Sequence, residues 1–313
     1  MKSPFLYTDD NKRYHTYNYY LRHRYGTKVF KVGLDAGFTC PNRDGTRGIG
    51  GCVFCNAIGS GDFGGNRLDP LVAQFEQGCA MMRKKWPDGK AIAYFQSFTN
   101  TYASLAVIKE RFQPIFDRED VLALSIATRP DALSDDVLEY LAFLNQTKEV
   151  WIELGLQSIH DATAVSMNRG HTYAEFLATY QRIRATDLKI AIHLLNGLPG
   201  ESIDQMLESA RAIGQLKPDG VKIHMLNVLD ATTLAKQYES DPFPLLSMDE
   251  YVELVVRQLE VLPPTTVIQR LTGDGDPKDL IAPVWTLKKT IVLNSIDQAM
   301  KRHDTWQGSK LTL

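Results

Sequence analysis

Six short runs rich in β-branched residues recur along this chain: 28–34 (KVFKVGL), 91–95 (AIAYF), 121–126 (VLALSI), 150–154 (VWIEL), 189–195 (KIAIHLL) and 220–226 (GVKIHML). Each has the length and composition of a strand, and helical stretches separate them. The helix starts carry their own marks. Thr172, Ser202 and Ser247 each stand three residues before Glu175, Gln205 and Glu250, the spacing of a capping box. Pro70 after Asp69 opens a helix predicted to run to about Trp86. Alternating strands and helices imply parallel strands joined by right-handed crossovers. The predicted fold class is therefore α/β, a partial TIM-type (β/α)6 barrel with a small C-terminal extension; a doubly wound open sheet would share the same pattern.

Proline-rich segments at 241–246 (DPFPLL) and 262–264 (LPP) mark the candidate boundary. The expected organisation is a basic, aromatic N-terminal segment over 1–27, a core barrel over 28–240 and an extension over 241–313. Within that extension 266–271 (TVIQRL) can add a seventh strand, whereas 273–277 (GDGDP) is turn chemistry.

Four cysteines in 313 residues are too few for a disulfide scaffold, and three of them fall within 40–55, which points to a metal. A composition of 44% hydrophobic and 23% charged residues excludes disordered and fibrous classes. No run approaches the roughly 18 apolar residues of a membrane span, and the first residues lack a signal-peptide core. A cytoplasmic protein without a membrane partner is expected.

The segment GFTCPNRDGTRGIGGCVFCN separates Cys40 from Cys52 by eleven residues and Cys52 from Cys55 by two. A two-residue gap lets both thiolates reach one metal centre. The glycines at 45, 48, 50 and 51 allow the loop to wrap closely, and N–H groups near sulfur tune a cluster's potential. Three thiolates hold a 4Fe-4S cluster and leave one iron for another ligand. On the cysteines alone structural zinc stays open, with a fourth ligand from Cys79, His15 or His23. Cys79 falls in the middle of a helix, where a lone cysteine is usually a small buried hydrophobe.

This loop, with Phe54 just before the last cysteine, resembles the cluster loop of the radical S-adenosylmethionine (SAM) superfamily. Its extended form is similar to a bacterial subfamily related to the radical SAM domain of elongator-type tRNA-modifying enzymes. The resemblance runs over about residues 20–290. It implies a radical SAM barrel, with Cys40, Cys52 and Cys55 holding a 4Fe-4S cluster whose open iron chelates SAM. It also implies reductive cleavage of SAM to methionine and a 5′-deoxyadenosyl radical that abstracts hydrogen from substrate.

In such a barrel, chemistry sits on the loops after the strands. After the second comes Gln96-Ser97, where many of the superfamily have Gly-Gly-Glu for the SAM amino group; carbonyls near Phe95 and Gln96 would serve here instead. After the third, Arg129 pairs either with a substrate anion or with Asp131. The fourth ends in ELGLQS, where the resemblance assigns Gln157 and Ser158 to SAM. Asn168-Arg169-Gly170-His171 makes Arg169 either a clamp for the SAM carboxylate or part of a helix-ending turn. The fifth leads into NGLPGE, where Asn196, Gly197 and Leu198 are implied adenine contacts. His193 and His224 read as core histidines, and no catalytic residue is assigned. Asn227, Thr232 and Arg270 are candidate substrate contacts without a motif.

Substrate identity is carried by the resemblance. It implies tRNA as partner, with conversion of carboxymethylaminomethyl to aminomethyl on wobble uridine, and an electron donor such as flavodoxin or ferredoxin. A small metabolite or tetrapyrrole is the alternative substrate, and a non-catalytic, zinc-stabilised RNA-binding module the alternative of another class. Residues 1–50 carry nine Lys/Arg against four Asp/Glu, a charge of +5 against −7 in the remainder. Tyr14, Tyr17, Tyr19, Tyr20 and Tyr25 lie among Arg13, Arg22, Arg24 and Lys28. That head suits a polyanion, or is a solvated flap whose tyrosines pack on the barrel.

Overall fold

The structure, a computed structural model, describes residues 5–59, 64–273 and 275–311. All six apolar runs form strands. In chain order the elements are α1 (Tyr17–Tyr25), β1 (Val29–Leu34), α2 (Leu71–Arg83), β2 (Lys90–Phe95), α3 (Leu105–Phe116), β3 (Val121–Thr128), α4 (Asp135–Asn145), β4 (Glu149–Gln157), α5 (Asp161–Ser166), α6 (Tyr173–Arg184), β5 (Lys189–Asn196), α7 (Ile203–Leu216) and β6 (Gly220–Met225). There follow β7 (Val228–Leu229), α8 (Thr233–Ser240), α9 (Met248–Glu260), β8 (Val267–Arg270), β9 (Leu280–Ala282) and α10 (Lys289–Arg302). Thr172, Ser202 and Ser247 all close the reciprocal capping boxes read from the sequence, at α6, α7 and α9. The helix after Pro70 ends at Arg83, three residues short of Trp86.

Seven strands hydrogen-bond in the order β1-β2-β3-β4-β5-β6-β8, with parallel register at β1·β2, β2·β3, β3·β4, β5·β6 and β6·β8. The order never reverses, so the winding is that of a partial TIM-type barrel; a doubly wound sheet reverses direction at a switch point. Among the described residues the sheet has seven strands, the six apolar runs and the optional seventh read within 266–271. Val267 and Ile268, beyond the predicted boundary at 240, pair with Gly220 and Val221 and extend the same sheet. A separate antiparallel pair joins β7 to β9.

The chain divides into two compact units. The cysteine-bearing unit comprises Leu21–Gly155 and Arg169–Ile190; the C-terminal unit comprises Met1–Tyr20, Leu156–Asn168 and Ala191–Leu313. In the first, Phe75, Leu124, Ile126 and Trp151 are fully buried, and the rings of Phe95 and Phe112 lie 4.2 Å apart. In the second, Ile192, Leu194, Val221, Ile223, Tyr251 and Leu259 form the apolar core.

One charged network interrupts the strands of the cysteine-bearing unit. Lys31 Nζ of β1 lies 2.5 Å from Glu153 Oε1 of β4 and 3.0 Å from Ser125 Oγ of β3, while Ser125 also donates to Glu153. Glu153 is 1% exposed. Removing one partner of such a pair strands a charge out of water, which costs more than the pair contributes. Glu153→Ala is expected to lower stability by about 3 kcal/mol. Urea unfolding of both proteins measures this, and a loss within the scatter of ordinary surface substitutions would show that Lys31 finds another partner.

Candidate metal centre in the three-cysteine loop

β1 delivers the chain into the loop through a stretch whose backbone is held by side chains. Gln74 bonds both the amide and the carbonyl of Asp35, Arg111 donates to Ala36 O, and Arg67 donates to the carbonyls of Gly37 and Phe38. The loop then folds on itself. Arg43 N donates to Cys40 O, Arg47 N to Pro41 O, Gly51 N to Asn42 O and Cys55 N to Cys52 O. The last bond closes the Cys-x-x-Cys turn. Cys52 is buried, and Cys40 and Cys55 are half-buried.

Nitrogen donors crowd the sulfurs. Arg169 Nη1 lies 3.1 Å from Cys52 Sγ, Asn42 Nδ2 lies 3.6 Å from the same sulfur, and Arg43 Nη2 lies 3.3 Å from Cys55 Sγ. Arg43 also ties down the far side of the loop through Asn56 O. Two glycines make this approach possible. Gly51 has φ +85° and a Cβ there would stand 2.9 Å from Arg43 Nε; Gly170 has φ +73° and its Cβ would stand 2.6 Å from Asn42 Oδ1. A side chain at either position would meet both backbone strain and a sulfur-directed donor.

A second layer fixes the guanidiniums. Arg129, 5% exposed, grips Asp131 with Nε at 2.9 Å and Nη2 at 2.8 Å, so of the two roles read for it the structure displays the ion pair. Asp131 is reached from its other side by Arg47. Burial works against the charge of Arg129, but the bonds and charge of Asp131, with the Cys40 and Cys52 thiolates, hold its pKa above the ordinary guanidinium value. Arg129 Nη1 and Arg169 Nε are nonetheless buried without a hydrogen-bond partner. Arg169 donates through Nη2 to Gly155 O at 2.8 Å and to His171 Nε2 at 2.9 Å. Burial, then the charges of Arg169 and Arg129, push the His171 pKa down to about 3, so its ring stays neutral and accepts.

Among the described residues no three His, Cys, Asp or Glu side chains are gathered to hold a single metal ion. A 4Fe-4S cluster makes a different demand, since each thiolate binds its own iron. The donor set fits that group: three thiols in one loop, N–H donors aimed at two of the sulfurs, and buried guanidinium nitrogens with hydrogen-bonding capacity still unused. Cys79 lies apart in α2, 1% exposed, with burial pushing its thiol pKa up.

The expected SAM contacts divide between the units. In the cysteine-bearing unit Phe54 and Gln96 are half-buried. The carbonyls of Phe95 and Ser97 accept from Asn100 Nδ2, which also reaches Ala127 O and so clamps the end of β2 to the end of β3. In the C-terminal unit Ser158 Oγ donates to Glu201 and accepts from His160 N. Burial raises the pKa of Glu201, which the Ser158 bond partly counters. Asn196 exchanges two hydrogen bonds with Gln258, at 2.8 and 2.9 Å. The side chains of Ser158 and Asn196 thus make internal hydrogen bonds in the structure. Leu198 is buried. Gly197 has φ +86°, and its N–H lies 3.1 Å from Met206 Sδ. Gln157 holds φ +71°, uncommon for a residue with a side chain, and its buried Oε1 has no hydrogen-bond partner. Sequence reasoning missed Asn42, Arg43 and Asn100; the polar residues next to Cys40 inside a glycine-rich loop were the available signal for the first two.

Comparison with known proteins bears on this geometry. The Radical SAM superfamily pattern matches residues 40–213, beginning at Cys40, and the Radical_SAM C-terminal domain pattern matches 218–302. YtqA of Bacillus subtilis is 48% identical over 306 residues, covering 98% of this chain and 95% of that protein. The tRNA uridine(34) acetyltransferase of Methanocaldococcus infernus is 28% identical over 156 residues, covering 49% of this chain and 29% of that protein. The structure of the archaeal Methanocaldococcus infernus Elp3 with an N-terminal deletion superimposes with a TM-score of 0.65 at 19% identity, covering 90% of this chain and 64% of that one, a likeness of fold. No described helix is long and apolar enough to cross a membrane.

Proposed function

The chain belongs to the radical SAM superfamily, and on that premise we propose that it is an enzyme of tRNA modification that converts carboxymethylaminomethyl to aminomethyl on wobble uridine. Members of the superfamily use a 4Fe-4S cluster and SAM. The observation that carries the reading is the Cys40–Cys55 loop, with sulfurs met by Arg169, Arg43 and Asn42. When bound, the cluster and SAM supply an electron and a 5′-deoxyadenosyl radical for hydrogen abstraction from substrate.

The residues of this chain have the other tasks. Cys40, Cys52 and Cys55 are the ligands. Arg169, Arg43 and Asn42 offset the negative charge on sulfur. The backbone at Gln157, Gly197 and Leu198, with the Gln157 amide, orients SAM. An electron donor such as flavodoxin or ferredoxin supplies the electron for SAM cleavage, and a relative named for tRNA uridine, 28% identical over 156 residues, supports the substrate class.

The basic head takes a narrower role than its charge implies. Arg13 is committed to Asp304 and to the carbonyls of Met300 and Thr305, and Arg24 pairs with Glu149, whereas Arg22 is exposed. Replacing Arg13 would disturb folding and RNA binding together, so Arg22 is the informative position.

The reaction is tested by incubating reduced, reconstituted protein with SAM and tRNA bearing carboxymethylaminomethyluridine. The expected products by mass spectrometry are aminomethyluridine, 5′-deoxyadenosine and methionine, with the carboxymethyl carbons released as glyoxylate: water supplies its carbonyl oxygen, and SAM, reduced to methionine and 5′-deoxyadenosine, is the two-electron oxidant. Unchanged nucleosides while SAM is being cleaved would overturn the substrate, and a tetrapyrrole or other metabolite consumed in its place would identify the alternative. Formation of S-adenosylhomocysteine alone would overturn the radical reading.

A further inference from the structure

Past the end of β2 the chain bonds both ends of the three-cysteine loop in succession. Phe98 N donates to Gly59 O at 3.1 Å, shortly after Cys55, and Thr99 N donates to Thr39 O at 3.2 Å, just before Cys40. The next residue roots this staple in the sheet. Asn100 donates through Nδ2 to the carbonyls of Phe95, Ser97 and Ala127, and through its own N to Ala127 O. Thr99, Asn100 and Thr101 are all buried.

The residue at the centre of the staple is an unusual choice. Phe98 holds φ +61°, a conformation that glycine adopts freely and that is an outlier for a bulky side chain. Strain of this kind persists only where the surroundings over-determine it, which points to a use for the ring. The ring lies against Gly59, so closely that a Cβ there would stand 2.5 Å from Phe98 Cδ1. Two guanidiniums share it. Arg43 Cζ and Arg67 Cζ each lie 5.2 Å from the ring centroid, inside the roughly 6 Å range of a cation–π contact. Those arginines serve opposite ends of the loop: Arg43 donates to Cys55 Sγ at 3.3 Å and to Asn56 O, whereas Arg67 donates to Gly37 O at 2.7 Å and Phe38 O at 2.9 Å. One aromatic ring thus joins the arginine of the loop's entry to the arginine of its exit, as the adjoining amides join the two backbones.

We infer that Phe98 is a positioning residue for the iron-sulfur cluster. Its backbone ties the Cys40 arm to the Cys55 arm, and its ring holds Arg43 on the Cys55 sulfur. The role concerns the cofactor that the superfamily uses and is independent of the substrate. A loop stapled by the protein itself has less chain to order when the cluster binds, so iron is retained better. The cation kept beside a ligand sulfur favours the reduced, more negative cluster.

Three variants separate ring from backbone. Phe98→Gly removes the ring and relieves the backbone, Phe98→Leu removes the ring and keeps the strain, and Phe98→Tyr keeps the ring. In protein reconstituted without oxygen, the two ringless variants are expected to lose iron to a chelator about tenfold or more faster than wild type, with the reduction midpoint moved to more negative potential. Phe98→Tyr should match wild type in both. Because the ring acts through Arg43, adding Phe98→Gly to Arg43→Gln should move the midpoint no further than Arg43→Gln alone. Melting curves of the metal-free proteins establish folding, and Phe98→Gly carries the test if Phe98→Leu does not fold. Wild-type iron release and midpoint in Phe98→Gly would overturn the inference. So would faster release with an unmoved midpoint, which is lost packing alone, or a midpoint shift that adds to that of Arg43→Gln. If wild type takes zinc in place of iron, release of zinc to the chelator decides between the same three variants: faster loss without the ring sustains the staple, and equal loss overturns it.

Discussion

Cys40→Ala, Cys52→Ala and Cys55→Ala are each expected to lose the 4Fe-4S cluster and with it all cleavage of SAM, while Cys79→Ala retains both. The wild-type chain, reconstituted without oxygen, should carry about four iron and four sulfide. The expectation follows from ligand count. With three thiolates on one loop, removing any one leaves two, and the donors that reach the sulfurs, Asn42, Arg43 and Arg169, cannot replace a thiolate. Cys79 sits in α2 with a thiol whose pKa burial raises, the opposite of what a metal-binding thiolate needs. Iron and sulfide assays with visible absorption decide the matter. Full iron in any one of the three variants would remove that cysteine from the ligand set, and stoichiometric zinc without iron uptake in wild type would replace the cluster altogether.

What the sequence made legible was local. Strands of six to nine residues and helix caps are written in runs and three-residue spacings, so the six apolar segments and the capping boxes at Thr172, Ser202 and Ser247 are directly legible. The Cys-x-x-Cys turn is equally local. The seventh strand was read only as an option, because four residues, VIQR, give too short a pattern, and their pairing with Gly220 and Val221 spans more than forty positions of chain. Side-chain partners are less legible for the same reason. Asn196, an implied ligand contact by its place in NGLPGE, is hydrogen-bonded to Gln258, 62 residues away. Ser158 bonds Glu201, 43 residues away. Arg129 was the reverse case: its ion pair with Asp131 is two residues off and was visible as one of two readings.

Arg169 is the guanidinium that reaches Cys52, and its replacement should have the second largest effect. The residue sits between Asn168 at φ +50° and Gly170 at φ +73°, a turn that no ordinary sequence holds without strain, and the turn aims the guanidinium inward rather than to solvent. There it bridges Cys52 Sγ, Gly155 O and the neutral ring of His171. A cation against a ligand sulfur stabilises the extra negative charge that reduction brings, so its loss disfavours reduction. Arg169→Gln is expected to lower SAM cleavage by about 10- to 100-fold, the range for groups that support a metal ligand, with iron still bound and the reduction midpoint moved to more negative potential. Arg169→Lys keeps the charge without the planar fork and should recover part of the rate. A clamp on the SAM carboxylate would behave differently, raising KM for SAM and leaving the midpoint in place. The buried Nε, which has no hydrogen-bond partner, is where such a carboxylate would bind. Measuring KM and midpoint in the same variant therefore distinguishes an arginine that supports sulfur from one that holds SAM, and the 3.1 Å contact to Cys52 favours the former.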